Sequence, residues 1–427
     1  MITELKLENW KSFRDATLYI DPVTILIGTN ASGKSNTLDA LLFLQRVASG
    51  VGIYPAIQGD VNLPPIRGGV DWVCSKSTRE FSLEITLNTE DKNIEYRYEL
   101  SVQVNGRKAE VSREELTLLK YGPRSQIPKK IRLYYTQPQE SAAPGIPSYF
   151  STGTKGYGKR IDVSRSHIVL VQAESFSLKK EVQEGIKQVL SQLQKIFVFD
   201  PVPSHMRDYV PFSETLQPDG SNIAGVLAAL DPLRKEEVEK TLTYYLQKLP
   251  ERDIQRIWTE PVGKFQNDAM LYCQENWSSI DQIDLFSSKR HDPHIVDARG
   301  MSDGTLRFLA IVTALLTRQP GSLLVIEEVD NGLHPSRAHI LIEMLKSLGH
   351  DRGIDVIVTT HNPALLDAAG VSMVPFIIVV HRDSHTGDSL LTQLEDIGQL
   401  PKLMAGGTLG QLSTEGRIEA AVNQGME

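Results

Sequence analysis

An apolar run, Val23–Ile27, leads straight into Gly28-Thr29-Asn30-Ala31-Ser32-Gly33-Lys34-Ser35, and this junction constrains the fold more than any other feature of the chain. The spacing G-x-x-x-x-G-K-S is that of a phosphate-binding loop. Its glycines let the backbone turn tightly enough to aim N–H groups at phosphate oxygens. Lys34 adds a charge at the β- and γ-phosphates, and the Ser35 hydroxyl can hold Mg²⁺. Val23–Ile27 reads as a buried strand, and Ser35–Val47 reads as a helix with Leu38, Leu41, Leu42 and Leu44 as apolar positions. Such a helix points its positive N-terminal end at the phosphates.

The second half of a phosphate-cleaving site is expected far downstream. Leu323-Leu324-Val325-Ile326 is strand-like and ends in the carboxylate pair Glu327-Glu328. A P-loop enzyme needs an acid near Mg²⁺ and a base for the attacking water, so Glu327 is assigned to the metal and Glu328 to the water. Val356–Thr360 is another apolar strand, ending in His361, placed to sense the γ-phosphate. Upstream, Ser302-Asp303-Gly304 opens an apolar helix through Leu306, Leu309, Val312 and Leu316, and a helix start of this kind is an anion site.

At 427 residues the chain has room for one large core or two smaller ones. It has no run of eighteen apolar residues and no basic, apolar leader, and its two cysteines, Cys74 and Cys273, are far apart. These features point to a cytoplasmic protein without a membrane partner or a cysteine metal site. The net charge of −8 gives no general pull toward nucleic acid. Locally, Lys120–Arg165 carries nine basic residues with Tyr121, Tyr134, Tyr135, Tyr149, Phe150 and Tyr157 interleaved. That pattern suits contact with DNA, or a solvated loop with local aromatic packing.

Ile2–Ile20 alternates as two strands with Leu5, Leu7, Phe13, Leu18 and Ile20 inward. Further alternating runs, Phe81–Leu87 and Ile94–Val104, lead to Asn105-Gly106, expected as a type I′ hairpin turn into Ala109 and Val111. Gln137–Gly158, rich in Pro, Ser and Gly, reads as a mobile loop, and helical patterns cover Leu178–Ile196 and Ile223–Leu249. The expected division is a nucleotide core from 1–50 and 296–400, an antiparallel β subdomain with the basic loop over 51–170, a mixed helical lid over 171–295, and a tail over 401–427.

The motif order resembles the ATP-binding-cassette type of head found in RecF, SMC and overcoming-lysogenization-defect (OLD) ATPases. Leu7-Glu8-Asn9-Trp10-Lys11-Ser12-Phe13 is similar to their "ENF-x-SF" opening, with Trp10 in place of Phe, and Gly28–Asn36 to their "GxNxSGKSN" loop. Met301–Arg307 resembles "LSDGTLR", Glu327–Pro335 resembles "EEPENGLHP" with Val329-Asp330 replacing Pro-Glu, and Thr359–Pro363 resembles "TTHSP". The resemblance implies an α/β fold: an ABC-type P-loop ATPase head with an antiparallel β subdomain and a large mixed α/β insertion. It implies ATP and Mg²⁺ held by Asn30, Ala31, Ser32, Gly33, Lys34, Ser35 and Asn36, with Ser35 and Glu327 at the metal and Lys34, Glu328 and His361 in catalysis. It also implies a head-to-tail homodimer or higher oligomer, in which Ser302 and Gly304 reach the partner's γ-phosphate and Asp330 lies on the crossing loop. OLD nucleases carry a further TOPRIM domain, and too little chain follows His361 for one of roughly 100 residues.

Three functions fit this reading. One is an ATP-driven switch acting on a separate effector such as a nuclease or toxin, in antiphage defence. Another is a RecF-like DNA-repair clamp. A transporter subunit fits least, because the split head and the "ENWKSF" opening are not transporter-like.

Overall fold

The computed structural model describes residues 1–122, 127–138, 143, 145–154, 158–249, 254–275, 294–398 and 400–424. In chain order the strands begin with β1 (Ile2–Trp10), β2 (Phe13–Tyr19), β3 (Val23–Ile27), β4 (Glu80–Asn88), β5 (Ile94–Asn105) and β6 (Lys108–Lys120). Next come β7 (Lys129–Thr136), β8 (Gly145–Ser151), β9 (Gly158–Ser164), β10 (Ile196–Phe199), β11 (Val210–Pro211) and β12 (Ile254–Val262). The last six are β13 (Asp268–Glu275), β14 (His294–Asp297), β15 (Leu323–Ile326), β16 (Asp355–Thr359), β17 (Ile377–Arg382) and β18 (Ser389–Gln393).

They form an antiparallel sheet, β2-β1-β4-β5-β6-β7-β8-β9, and a mainly parallel sheet, β10-β15-β16-β3-β17-β18. A small third sheet has β13 between β12 and the shorter β11 and β14. The parallel strands are apolar at nearly every position because both of their faces are covered. Val23, Ile25, Ile27, Leu324, Ile326, Val356 and Val358 point into one core with the helices Asp303–Thr317 and Ala338–Arg352. Leu26, Val325, Ile357 and Val380 point into a second core, shared with the P-loop helix Lys34–Ala48, the helix Lys180–Gln194 and the antiparallel sheet. Side chains alternate across a strand, so one short run such as Leu323–Ile326 feeds both cores. The expected α/β head with its antiparallel subdomain and mixed insertion is the fold observed.

Leu5, Leu7, Phe13 and Leu18 are fully buried, and Leu5 pairs with Leu18 on one side and Ile85 on the other. Trp10 fills the space between Phe43 and Phe81, 4.9 Å from the latter ring in an edge-on arrangement, and its indole N–H donates to the Asn36 carbonyl at 2.7 Å. The first strand is thereby tied to the P-loop helix.

Several sequence expectations differ from what is observed. The single helical pattern Ile223–Leu249 is two helices, Ile223–Ala229 and Pro232–Gln247. A proline at 232 disfavours helical backbone at Asp231, whose side chain instead caps the second helix by accepting from the Arg234 N–H at 3.1 Å. Within the loop expected over 137–158, β8 pairs with β7 and β9 and buries Ile146 and Phe150, an alternation masked by its Gly, Pro and Ser content. Residues 139–142, 144 and 155–157 of that expectation lie outside the described residues. The β5–β6 turn is Gly106-Arg107 between the paired Asn105 and Lys108, and only Gly106 takes a positive φ (60°), so it is not the expected type I′ Asn-Gly turn. Sheet membership also cuts across the expected division: β1 and β2 join the antiparallel sheet, and β10, from the range assigned to the lid, is the edge strand of the parallel sheet. Strand pairing over long chain separations decides both.

Candidate nucleotide site

Strand β3 delivers the P-loop between two hairpins that hold it from behind. Gly28 lies at φ 142°, and a Cβ there would come within 2.0 Å of the Val380 carbonyl, so β17 runs directly against the loop. Gly33, at φ 123°, would place a Cβ 2.6 Å from Ser389 Oγ. Ala31 takes the left-handed φ of 61°, and Arg382 at the end of β17 donates to its carbonyl through Nε (3.0 Å) and Nη2 (2.9 Å). Ser389 Oγ donates to the Ser32 carbonyl and lies 2.8 Å from Ser12 Oγ, which accepts from Asn36 Nδ2 at 2.7 Å. The loop is therefore set in shape by the two ends of the chain.

The N-cap of the helix Lys34–Ala48 is Gly33, which has no side chain to cap it, and this leaves the first N–H groups of the helix directed at the loop. Ser32 Oγ is buried there without a hydrogen-bond partner among the described residues. Lys34 Nζ donates to the Gly28 (2.7 Å) and Thr29 (2.9 Å) carbonyls. Burial pulls its pKa down to about 8, against the opposing pull of Glu328, Glu327 and Glu419. A cavity of about 320 Å³ is lined by the loop from Asn30 to Asn36 together with Glu327, Glu328, Thr359, His361 and Arg382. Residues more than 290 positions apart in the chain thus converge on one space suited to phosphates.

At the mouth, Ser35 Oγ donates to Glu327 Oε1 at 2.5 Å. A hydroxyl beside a carboxylate is the oxygen donor set that suits Mg²⁺ completed by phosphates and water. Glu328 sits at φ 46°, an uncommon conformation for a residue with a side chain. Its neighbours hold it there: its N–H donates to Thr359 Oγ1 (2.8 Å), its carbonyl accepts from the Asn331 N–H (2.8 Å), and Asn331 Nδ2 reaches Oε2 at 3.3 Å. This backbone turns the side chain away from the strand direction and into the cavity. His361 has its pKa lowered by burial and by Lys34, so its imidazole is neutral near pH 7.

Ser302 caps the helix Asp303–Thr317 by accepting from the Thr305 N–H at 3.1 Å. Gly304 has no room for a side chain, since a Cβ would lie 2.7 Å from the Gly332 carbonyl. Neither Ser302, Gly304 nor Asp330 lines the cavity formed by the same chain's P-loop.

The family profile described as "AAA domain, putative AbiEii toxin, Type IV TA system" matches residues 23–140 and 152–367. The chain belongs to this AAA-domain family. No curated protein matches it. Among solved structures, the AAA-domain chain is similar to an SMC head bound to the C-winged helix domain of ScpA, at 14% identity and a TM-score of 0.51, covering 92% of this chain and 97% of that one. A second similar structure is an SMC head with an extended coiled coil bound to the C-terminal domain of ScpA from Pyrococcus furiosus, at 14% identity and a TM-score of 0.49, covering 95% and 99%. The family is that of an AAA-domain ATPase, and the fold is that of the SMC head.

Several residues of the site carry no weight in the motif reading. Arg67 donates to both oxygens of Glu327, and Arg382 shapes the P-loop. Arg207 gathers the Ala298, Arg299 and Met301 carbonyls and the Asp303 carboxylate at the start of the Ser302-capped helix. Arg307, inside the "SDGTLR" match but given no role there, is buried and donates through Nη2 to the Glu327 (2.9 Å) and Glu328 (3.0 Å) carbonyls and through Nη1 to Pro201 (2.8 Å). It couples the Ser302-capped helix to the backbone of both carboxylates. Arg307→Lys keeps the charge but loses the planar fork, so turnover should fall at least ~10-fold while nucleotide affinity changes less than ~3-fold. Steady-state hydrolysis beside titration with a fluorescent nucleotide separates the two effects.

The basic segment is partly neutralised by acids of its own chain. Lys120 pairs with Glu181 (2.9 Å), Arg132 with Glu115 (3.1 Å) and Arg160 with Asp162 (3.0 Å), while Arg165 is buried on the Val111 carbonyl. Lys129 and Lys130 are exposed on β7, and the Tyr135 and Tyr149 rings stack at 5.3 Å. Arg124, Lys155 and Tyr157 lie outside the described residues.

Proposed function

We propose that this protein is a dimeric ATP-driven switch that hydrolyses ATP and controls a separate effector protein, in antiphage defence. The observation that carries the catalytic part is the fixed pairing of Ser35 with Glu327 beside a Glu328 turned into the same cavity at φ 46°. Lys34 and the uncapped helix N–H groups bind the phosphates. Ser35 and Glu327 would hold Mg²⁺, which would neutralise charge on the phosphate oxygens. Glu328 accepts a proton from the attacking water, and neutral His361 donates a hydrogen bond toward the γ-phosphate.

Ser302 and Gly304 lie off their own chain's cavity, which supports a shared site completed by a second copy. Closure would bring that copy's helix N-terminus to the γ-phosphate, and hydrolysis would remove the ligand that favours closure. The family description, with its abortive-infection toxin and toxin–antitoxin terms, supports the defence setting. The SMC head in the similar structure is bound to ScpA, which supports a head that acts through a partner protein.

Mixing two inactive variants tests the shared site. In a mixed dimer of Ser302→Arg and Lys34→Ala chains, one site collects both lesions and the other neither. With free subunit exchange and equal mixing, hydrolysis should return to about a quarter of the wild-type rate, because half the dimers are mixed and each has one intact site. Failure to recover any activity while exchange is demonstrated would refute the arrangement.

The alternative, a RecF-like clamp on DNA, draws support from exposed Lys129 and Lys130 and the stacked Tyr135–Tyr149 pair. Replacing Lys129, Lys130 and Arg132 with Ala should flatten the salt dependence of DNA affinity by about one unit per lost phosphate contact if that reading holds. Loss of co-elution with an effector, and no effect on DNA, supports the switch.

A further inference from the structure

Glu327, the carboxylate assigned to the metal, already has a cation of its own chain on both oxygens. Arg67 Nη1 lies 2.7 Å from Oε1 and 3.0 Å from Oε2, on the same carboxylate that Ser35 Oγ approaches at 2.5 Å. The rest of the guanidinium is anchored behind. Nη2 and Nε reach Asp39 Oδ1 at 2.9 and 3.2 Å, and Lys11 Nζ holds the other Asp39 oxygen at 2.5 Å. Asp39 is buried and lies one turn beyond Ser35 on the P-loop helix, so the anchor and the metal-side hydroxyl share a helix face. Arg67 itself belongs to the segment between the helix Ile53–Gln58 and β4, and about half of its side chain is exposed.

We propose that Arg67 is a built-in counter-cation that closes the metal position in the nucleotide-free chain, and that a divalent ion enters only as the guanidinium leaves Glu327. The inference rests on the nucleotide-site reading above. One carboxylate cannot give its full coordination to a guanidinium and a divalent cation at once, because two positive charges at that spacing repel. Without nucleotide, Arg67 and Lys11 balance Glu327 and Asp39, so the carboxylate needs no external ion. When phosphates bring their own negative charge, the balance shifts toward a divalent cation. Only Nη1 must then let go, since Nε and Nη2 remain on Asp39. A neighbouring cavity of about 580 Å³, lined by Arg67, Lys11, Arg14 and Arg382, gives the released end room to turn.

The consequence is a penalty on metal entry that is separate from nucleotide affinity. Binding of Mn²⁺, standing in for Mg²⁺, can be read directly by electron paramagnetic resonance on the full-length chain with saturating ADP. ADP binding is measured beside it in the presence of EDTA. Arg67→Gln removes the competing charge, so half-saturation should need at least ~10-fold less Mn²⁺ than in the wild type. Arg67→Lys, which cannot span Asp39 and Glu327 together, should fall between the two, and it decides the matter by the same readout where Arg67→Gln does not fold. An unchanged or increased Mn²⁺ requirement in the folded variant overturns the proposal while leaving ADP binding, and the nucleotide-site reading, intact. A wild-type chain that binds no ADP in EDTA or with Mn²⁺ overturns both.

Discussion

Glu328→Gln should lower ATP turnover by at least ~10² while nucleotide affinity stays within ~3-fold of wild type. The substitution keeps the side-chain volume, and an amide oxygen can still accept from Asn331 Nδ2, so the loop geometry has no reason to change. The bonds that the Glu328 main chain makes with Thr359, the Asn331 N–H and Arg307 do not involve the carboxylate. What disappears is the capacity to take a proton from water. Pre-steady-state binding and steady-state phosphate release give the two numbers independently. Turnover equal to wild type would remove Glu328 from the role of base. The same variant should accumulate the ATP-bound, closed dimer, which sedimentation in the presence of ATP would detect.

Lys34→Ala should act earlier in the cycle and weaken ATP binding by about 10² or more, because the loss is of a charge-assisted partner, worth roughly 1.5–3 kcal/mol per hydrogen bond. The wild-type lysine also predicts that affinity depends on pH. In the empty site burial pulls Lys34 down to about 8, despite the opposing pull of Glu328 and Glu327. Bound phosphates favour the protonated form and raise that value. Below about pH 8 the lysine is already charged and affinity is flat in pH. Above it, binding must take up a proton, and affinity should fall by up to about tenfold per pH unit until the bound-state pKa is passed. Calorimetry in buffers of different ionisation enthalpy would show the proton uptake directly, and Lys34→Ala should abolish it. A flat profile from pH 7 to pH 10 in the wild type would contradict both the burial argument and the phosphate contact.

Motif and strand context were enough to locate the P-loop because the phosphate cradle is built locally. Gly28, Gly33, Lys34 and Ser35 are close in sequence, and their spacing dictates the backbone path. The acidic strand and the His361 strand were legible for a related reason: parallel strands covered on both faces must be apolar, so Leu323–Ile326 and Val356–Thr359 stand out. Order along the chain then placed their C-terminal ends together. The hidden parts were those where a polar residue acts at long range. Arg67 sits in an aperiodic Gly/Pro-rich stretch and reaches Glu327 260 residues away. Arg382 ends a strand without any motif and grips Ala31 across 351 residues. β8 was obscured by Gly, Pro and Ser, since only its neighbours β7 and β9 supply the bonds that keep it extended.

Local backbone chemistry and hydrophobic period are enough to assign an α/β head and to place Gly28–Ser35 as a P-loop between a strand and a helix. How the charges are partnered emerges in the folded chain alone. It pairs Lys120, Arg132 and Arg160 of the basic segment with Glu181, Glu115 and Asp162 of the same chain. Glu327 has Arg67 as a counterion, and Arg307 holds the Glu327 and Glu328 main-chain carbonyls. Long, flexible cationic side chains carry no periodicity, and their partners are selected by proximity in the folded state, which residue spacing along the chain does not encode.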